Sequence, residues 1–190
     1  MLYIIRHGQT EGNVRHVLLS RSDQSLTETG IRQAEEAALR LKGIRFARVY
    51  SSPLKRALET AGIVAPGLPV TVDERLIEMD YGRYEGMDLR SPAPEIMAFF
   101  RDFAHTPAPE GVEQLSSVVA RAGRFLADVE KEGDILISTH AIAMKGFLEF
   151  LTPDSRGSYW SKNIPNCAVY TTEYTGDGFT VPVELAKENL

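Results

Sequence analysis

The run Asp134-Ile135-Leu136-Ile137-Ser138-Thr139 constrains this chain more than any other stretch. A short apolar block of this kind reads as a buried strand. An amphipathic helix precedes it, with Leu115, Val118, Val119, Ala122, Leu126 and Val129 on one stripe, and a second helix is predicted over about 141–151. The same alternation opens the chain. Leu2 to Arg6 reads as a strand, 7–25 as a polar loop, and a helix follows with Thr27 or Thr29 as cap and Ile31, Ala34, Ala38 and Leu41 on one face. A strand over 46–51 leads into a helix with Ser52 as expected N-cap and Pro53 as first helical residue. A short strand is expected over 69–73, a helix over 94–104, and a hairpin within 167–184 around Thr175-Gly176-Asp177-Gly178.

Strands alternating with helices imply an α/β fold, a three-layer α/β/α sandwich around a mostly parallel central sheet. The 190 residues suit a single domain, 1–190. Residues 80–110, rich in Gly and Pro, are expected to form a small cap insertion over the active site. In such sheets ligands gather at the carboxyl ends of strands. Three polar clusters fall there: Arg6-His7-Gly8, Ser51 to Arg56, and His140. Arginine offers a planar fork of donors that matches phosphate oxygens, and a neutral imidazole is a nucleophile near neutral pH. Arg56, near a helix start, would meet an anion beside unpaired N–H groups. Each cluster alone has an ordinary structural explanation, and His16 and His105 are assigned to solvent.

Composition narrows the function. The net charge is -5, with residues 1–56 at +5 and the remainder at -10. An acidic chain is a poor general nucleic-acid binder, whereas a local basic excess suits a small anion. The single cysteine, Cys167, excludes a disulfide framework and a cysteine zinc site. The opening Met1 to Arg6 lacks a basic n-region, and its apolar run is too short for a signal or membrane span, so a cytoplasmic protein is expected.

The ordered motifs carry a resemblance. Arg6-His7-Gly8-Gln9-Thr10-Glu11-Gly12-Asn13 resembles the signature of the histidine phosphatase superfamily, which contains the cofactor-dependent phosphoglycerate mutases. Leu26-Thr27-Glu28-Thr29-Gly30 with Gln33-Ala34, Ser51 to Ala57 with Thr60-Ala61, Glu78 to Gly86, Gly111-Val112-Glu113, His140 and Asn166 follow in the family's order. The resemblance implies that His7 attacks phosphorus and becomes phosphorylated. Arg6, Arg56 and His140 would surround the phosphoryl oxygens with help from Asn13, and Glu78 would act as acid and then base. No metal and no cofactor are implied. Where the family carries glycine after its second histidine, this chain has Ala141, whose methyl either narrows the phosphate pocket or is accommodated.

Glu78-Met79-Asp80-Tyr81-Gly82 lacks the basic pair of the mutase Glu-Arg-His-Tyr-Gly, and Asp80 should repel a second phosphate. The segment between Glu78 and His140 is also short for a mutase. The expected activity is therefore hydrolysis of a small phosphate monoester. A phosphoglycerate mutase and a non-catalytic phosphate-binding protein are the alternatives. Tyr81, Tyr84, Met87, Phe99, Phe100 and Phe103 either line an apolar pocket or dock their segment onto the core. The expected partner is a small phosphorylated metabolite, with no nucleic acid and no membrane; the C-terminal strand leaves room for a homodimer.

Overall fold

A computed structural model describes residues 1–103 and 105–186. The chain-order elements are β1 (Leu2–Arg6), α1 (Glu11–Val14), α2 (Glu28–Arg40), β2 (Phe46–Ser51), α3 (Lys55–Val64), β3 (Val70–Val72), α4 (Pro94–Arg101), α5 (Leu115–Asp128), β4 (Asp134–Thr139), α6 (Ala141–Leu151), β5 (Val169–Thr172) and β6 (Val183–Glu184). The six strands form one sheet in the order β3-β2-β4-β1-β5-β6. The pairs β1–β4, β4–β2 and β2–β3 are parallel, while β5 and β6 join antiparallel at one side.

Strand alternation divides the core in two. Leu2, Ile4, Ile135 and Ile137 face α5 and α6, meeting Phe125, Leu126, Met144 and Phe147. Tyr3, Ile5, Val49 and Leu136 face the opposite layer, meeting Ala34, Ala37 and Leu41 of α2 and Ala61 and Val64 of α3. This is the expected α/β/α sandwich. Successive side chains of a strand point to opposite faces, so only strands covered on both sides are apolar throughout.

Several local expectations are corrected. Thr27 is the cap of α2, accepting from Gly30 N–H at 3.0 Å, and Ala37 replaces Ala38 on the buried face. Ile31 is 41% exposed, because the buried stripe of α2 runs through Gly30, Ala34, Ala37 and Leu41. The polar segment 7–25 contains the short helix α1, closed by a reciprocal Thr10–Asn13 capping box. Ser52 and Pro53 precede α3 rather than start it. Leu54 is its N-cap, without a side-chain bond because leucine has no acceptor, and Ser52 Oγ accepts from Leu54 N–H at 3.4 Å while it also meets His140. The helix expected over 94–104 ends at Arg101, and its last position, 104, lies outside the described residues, as do 187–190.

Past β1, backbone bonds carry the ladder one step further. His7 N–H donates to Thr139 O (2.9 Å) and Ser52 N–H to Ser138 O (3.0 Å), which draws the ends of β1, β2 and β4 together. Gly8 then passes against the start of α2, where a Cβ would lie 2.5 Å from Gly30 O. Only glycine permits that approach. Beyond the strand ends, Met79, Tyr84, Ile96 and Phe99 build a third apolar cluster with Val118 and Trp160. Among the described residues no helix is long and apolar enough to cross a membrane.

Candidate active site

A pocket of about 250 Å³ opens at the carboxyl ends of the parallel strands. Arg6, His7, Asn13 and Glu78 supply its polar end, and Ala141 lines it beside them. Leu18, Tyr81, Phe100, Phe103 and Ile142 contribute to its apolar wall. Of the aromatic residues singled out in the sequence, Phe100, Phe103 and Tyr81 face the pocket. Phe99 and Tyr84 are buried in the neighbouring cluster, and Met87 packs against it.

His7 is 4% exposed, and its Nδ1 lies 2.7 Å from Gly8 O. A carbonyl can only accept, so Nδ1 carries the hydrogen and Nε2 keeps a free lone pair. His140 is wired differently. Its Nδ1 receives the Arg56 Nε hydrogen at 3.2 Å, and its Nε2 lies 2.7 Å from Ser52 Oγ. Arginine only donates, so in the neutral ring Nε2–H points to Ser52 and both nitrogens are engaged. The two rings lie 5.2 Å apart, centroid to centroid. Of the two histidines, His7 alone keeps a nitrogen lone pair for chemistry.

Burial pushes both imidazoles well below their ordinary value of 6.5. Arg6 and Arg56 push His7 further down against the pull of the Gly8 carbonyl, while Arg56 and then His7 do so for His140. The neutral form of each therefore persists as pH falls through 6.5. Nitrogen NMR at pH 6.0 should find both rings uncharged, and an imidazolium signal from either would contradict this wiring. Because the folded values are depressed, the linked stability is complete above the unfolded value of about 6.5 and is lost as pH falls below it.

Arg56 is fully buried. Its Nη1 donates to Ser22 O (2.7 Å) and Nη2 to Ser20 O (2.8 Å), besides the bond to His140. Those carbonyls are held by Glu85, which accepts from the N–H groups of Ser20, Arg21 and Ser22. Neither Arg56 nor His140 lines this pocket, although the Arg56–His140 pair lies directly against His7 through the ring contact. Arg6 is on the wall; its Nη1 donates to Ile164 O, and its buried Nε has no partner. Asn13 Oδ1 accepts from Thr10 N–H (3.0 Å) and Asn166 Nδ2 (3.4 Å), and among the described residues the Asn13 amino group has no hydrogen-bond partner. Asn166 also donates to His7 O at 2.9 Å.

Glu78 is 5% exposed at the start of α6. Its Oε1 accepts from Met79 and Ala143 N–H (2.8 and 3.0 Å) and its Oε2 from Ile142 N–H (3.2 Å). The free amides of a helix N-terminus thus fix a carboxyl at the pocket edge. Asp80 turns away: it accepts from Gly82 N–H and leans toward Arg21 at 3.8 Å, off the pocket wall. The sequence alone did not show that Ser52 meets His140 or that Glu85 holds the Ser20–Ser22 segment whose carbonyls accept from Arg56. Both lie within quoted motifs, and that proximity was the only signal.

A family model described as histidine phosphatase superfamily (branch 1) matches residues 2–184. The chain is 29% identical over 175 residues to phosphoserine phosphatase 1 of Hydrogenobacter thermophilus, covering 88% of this chain and 83% of that one. It is 48% identical over 86 residues to the 2,3-bisphosphoglycerate-dependent phosphoglycerate mutase of Thermoplasma acidophilum, a match spanning 44% of this chain and 43% of that protein. The crystal structure of the α-ribazole phosphatase from Shigella flexneri superposes with a TM-score of 0.84 at 27% identity, covering 99% of each chain.

Proposed function

Because the chain belongs to the histidine phosphatase superfamily, we propose that it hydrolyses small phosphate monoesters through a phosphohistidine on Nε2 of His7. The carrying observation is the tautomer: Gly8 O holds the hydrogen on Nδ1, so the free lone pair of a neutral, buried imidazole sits at the pocket base. Nε2 attacks phosphorus as the bond to the ester oxygen breaks, and Glu78 gives that oxygen its proton. A water then attacks the phosphohistidine, Glu78 takes the water's proton, and the P–N bond returns its electrons to Nε2. Inorganic phosphate and neutral His7 result.

Arg6 and the Asn13 amino group meet the phosphoryl oxygens, and the buried charge of Arg56 stabilises the negative charge that develops. The unpartnered Arg6 Nε supports this, since a buried donor without a partner is costly until an oxygen reaches it. Ala141 lines the pocket, where its methyl adds apolar surface beside the phosphate position.

Phosphate release from an aryl phosphate in excess chelator tests the reading. Its absence, with phosphoryl exchange between phosphoglycerates in the presence of a bisphosphate primer, would favour a mutase, the activity named for one relative. The role of Glu78 has its own test. Glu78→Gln keeps an acceptor for Met79 and Ala143 but cannot donate a proton as an acid. Hydrolysis of alkyl phosphates should fall about a hundredfold or more, while aryl phosphates, whose leaving groups need little protonation, fall far less. Equal slowing of both would remove Glu78 from proton transfer.

A further inference from the structure

A second cavity of about 470 Å³ adjoins the phosphate pocket and shares Arg6, Phe100, Phe103 and Ala141 with it. Its lining includes four cationic side chains, Arg6, Arg101, Lys145 and Lys162, and no carboxylate. In a chain of net charge -5, that concentration stands against the average. Lys162 leans away to Glu184 at 3.1 Å. Arg101 is exposed and makes no ion pair among the described residues.

Lys145 is the unusual member. It is 8% exposed on α6, donates to Trp160 O at 2.7 Å, and lies 5.6 Å from the Phe103 ring centroid. An ammonium has three donors, and among the described residues only Trp160 O accepts from it, so two remain without a protein acceptor. Burial pushes the group down to about 8; Glu78 pulls it up and Arg6 pushes it down. A lysine held in so dry a place with spare donors is costly unless an anion meets it.

We infer that this cavity is a subsite for the leaving group, in which Lys145, assisted by Arg101, selects phosphate monoesters that also carry a carboxylate. The inference rests on the phosphatase reading and deepens it. The phosphate occupies the His7 pocket, and the leaving group passes over Ala141, along the packed Phe100 and Phe103 rings, to reach Lys145. A single buried ammonium within aromatic walls suits one negative charge better than a second phosphate dianion. The bland alternative is that Lys145 only pins the Trp160 carbonyl.

Two probes with the same three-carbon skeleton separate these readings. 3-Phosphoglycerate carries a carboxylate where glycerol 3-phosphate carries a hydroxymethyl group. Calorimetry in a His7→Ala background, where neither probe turns over, should show at least tenfold tighter binding of 3-phosphoglycerate when Lys145 and Arg101 are native. Lys145→Met should remove most of that preference while leaving glycerol 3-phosphate within about twofold, and Arg101→Gln should reduce it less. Equal affinities with Lys145 and Arg101 native, or equal weakening of both probes by Lys145→Met, would overturn the subsite. If Lys145→Met does not fold, Arg101→Gln decides, and an unchanged preference overturns it. Turnover is followed in parallel with native His7. Preference without hydrolysis of either probe removes the phosphatase reading and keeps the subsite, whereas hydrolysis without preference does the reverse.

Discussion

His7→Ala should lower phosphate release by about four orders of magnitude or more, since removing a covalent nucleophile costs on that scale. The substitution should leave the fold in place. His7 makes one side-chain bond, to the carbonyl of its own neighbour Gly8, and its backbone N–H still holds Thr139 O. Phosphate esters should still bind, because Arg6 and Asn13 remain. Intact-mass measurement after rapid acid-free quenching should show a phosphorylated native protein and none for the variant. The prediction turns on which histidine is free. His140 cannot substitute, with one nitrogen accepting from Arg56 and the other directed to Ser52. A variant that keeps its rate within tenfold, or that acquires phosphate on His140, would sink the assignment of His7.

Arg56→Ala should cost on the order of a hundredfold in turnover and should also lower the melting temperature. Truncation strands the Ser20 and Ser22 carbonyls and the His140 Nδ1 lone pair in a buried setting. Each group left unsatisfied costs about 1–3 kcal/mol. The catalytic loss comes by two routes: a positive charge behind the phosphoryl group disappears, and His140 is no longer oriented. Arg56→Lys distinguishes them. It restores the charge but cannot span both carbonyls and the imidazole with one ammonium, so it should recover part of the rate and little of the stability. Full turnover in a folded Arg56→Ala protein would reduce Arg56 to a structural strut.

Much of the architecture was legible because it depends on periodicity. Ile135-Leu136-Ile137 could only be a strand covered on both faces, and α6 spans the predicted 141–151. The strand ends that carry His7, Arg56 and His140 followed from the alternation alone. What the chain did not disclose depends on side-chain bonding at longer range. Ser52 looked like a helix cap because Ser-Pro so often starts a helix, yet its hydroxyl is committed to His140, 88 residues away in sequence. Ile31 fitted a helical stripe, but the close Gly8–Gly30 approach rotates α2 so that Ile31 faces water. Nor could any pattern reveal that Arg56 meets the carbonyls of Ser20 and Ser22, 36 and 34 residues away in sequence.

The central place of β1 bears on how the protein is made. Leu2 pairs with Ile135 on one side and Thr172 on the other, so the strand that delivers His7 emerges from the ribosome long before either neighbour. At ordinary elongation rates that wait is roughly ten seconds, during which an apolar strand has two unmatched edges. Contacts of such separation in sequence also slow folding. The His7 end of β1 is therefore fixed in place late, when β4 and β5 close around the first strand.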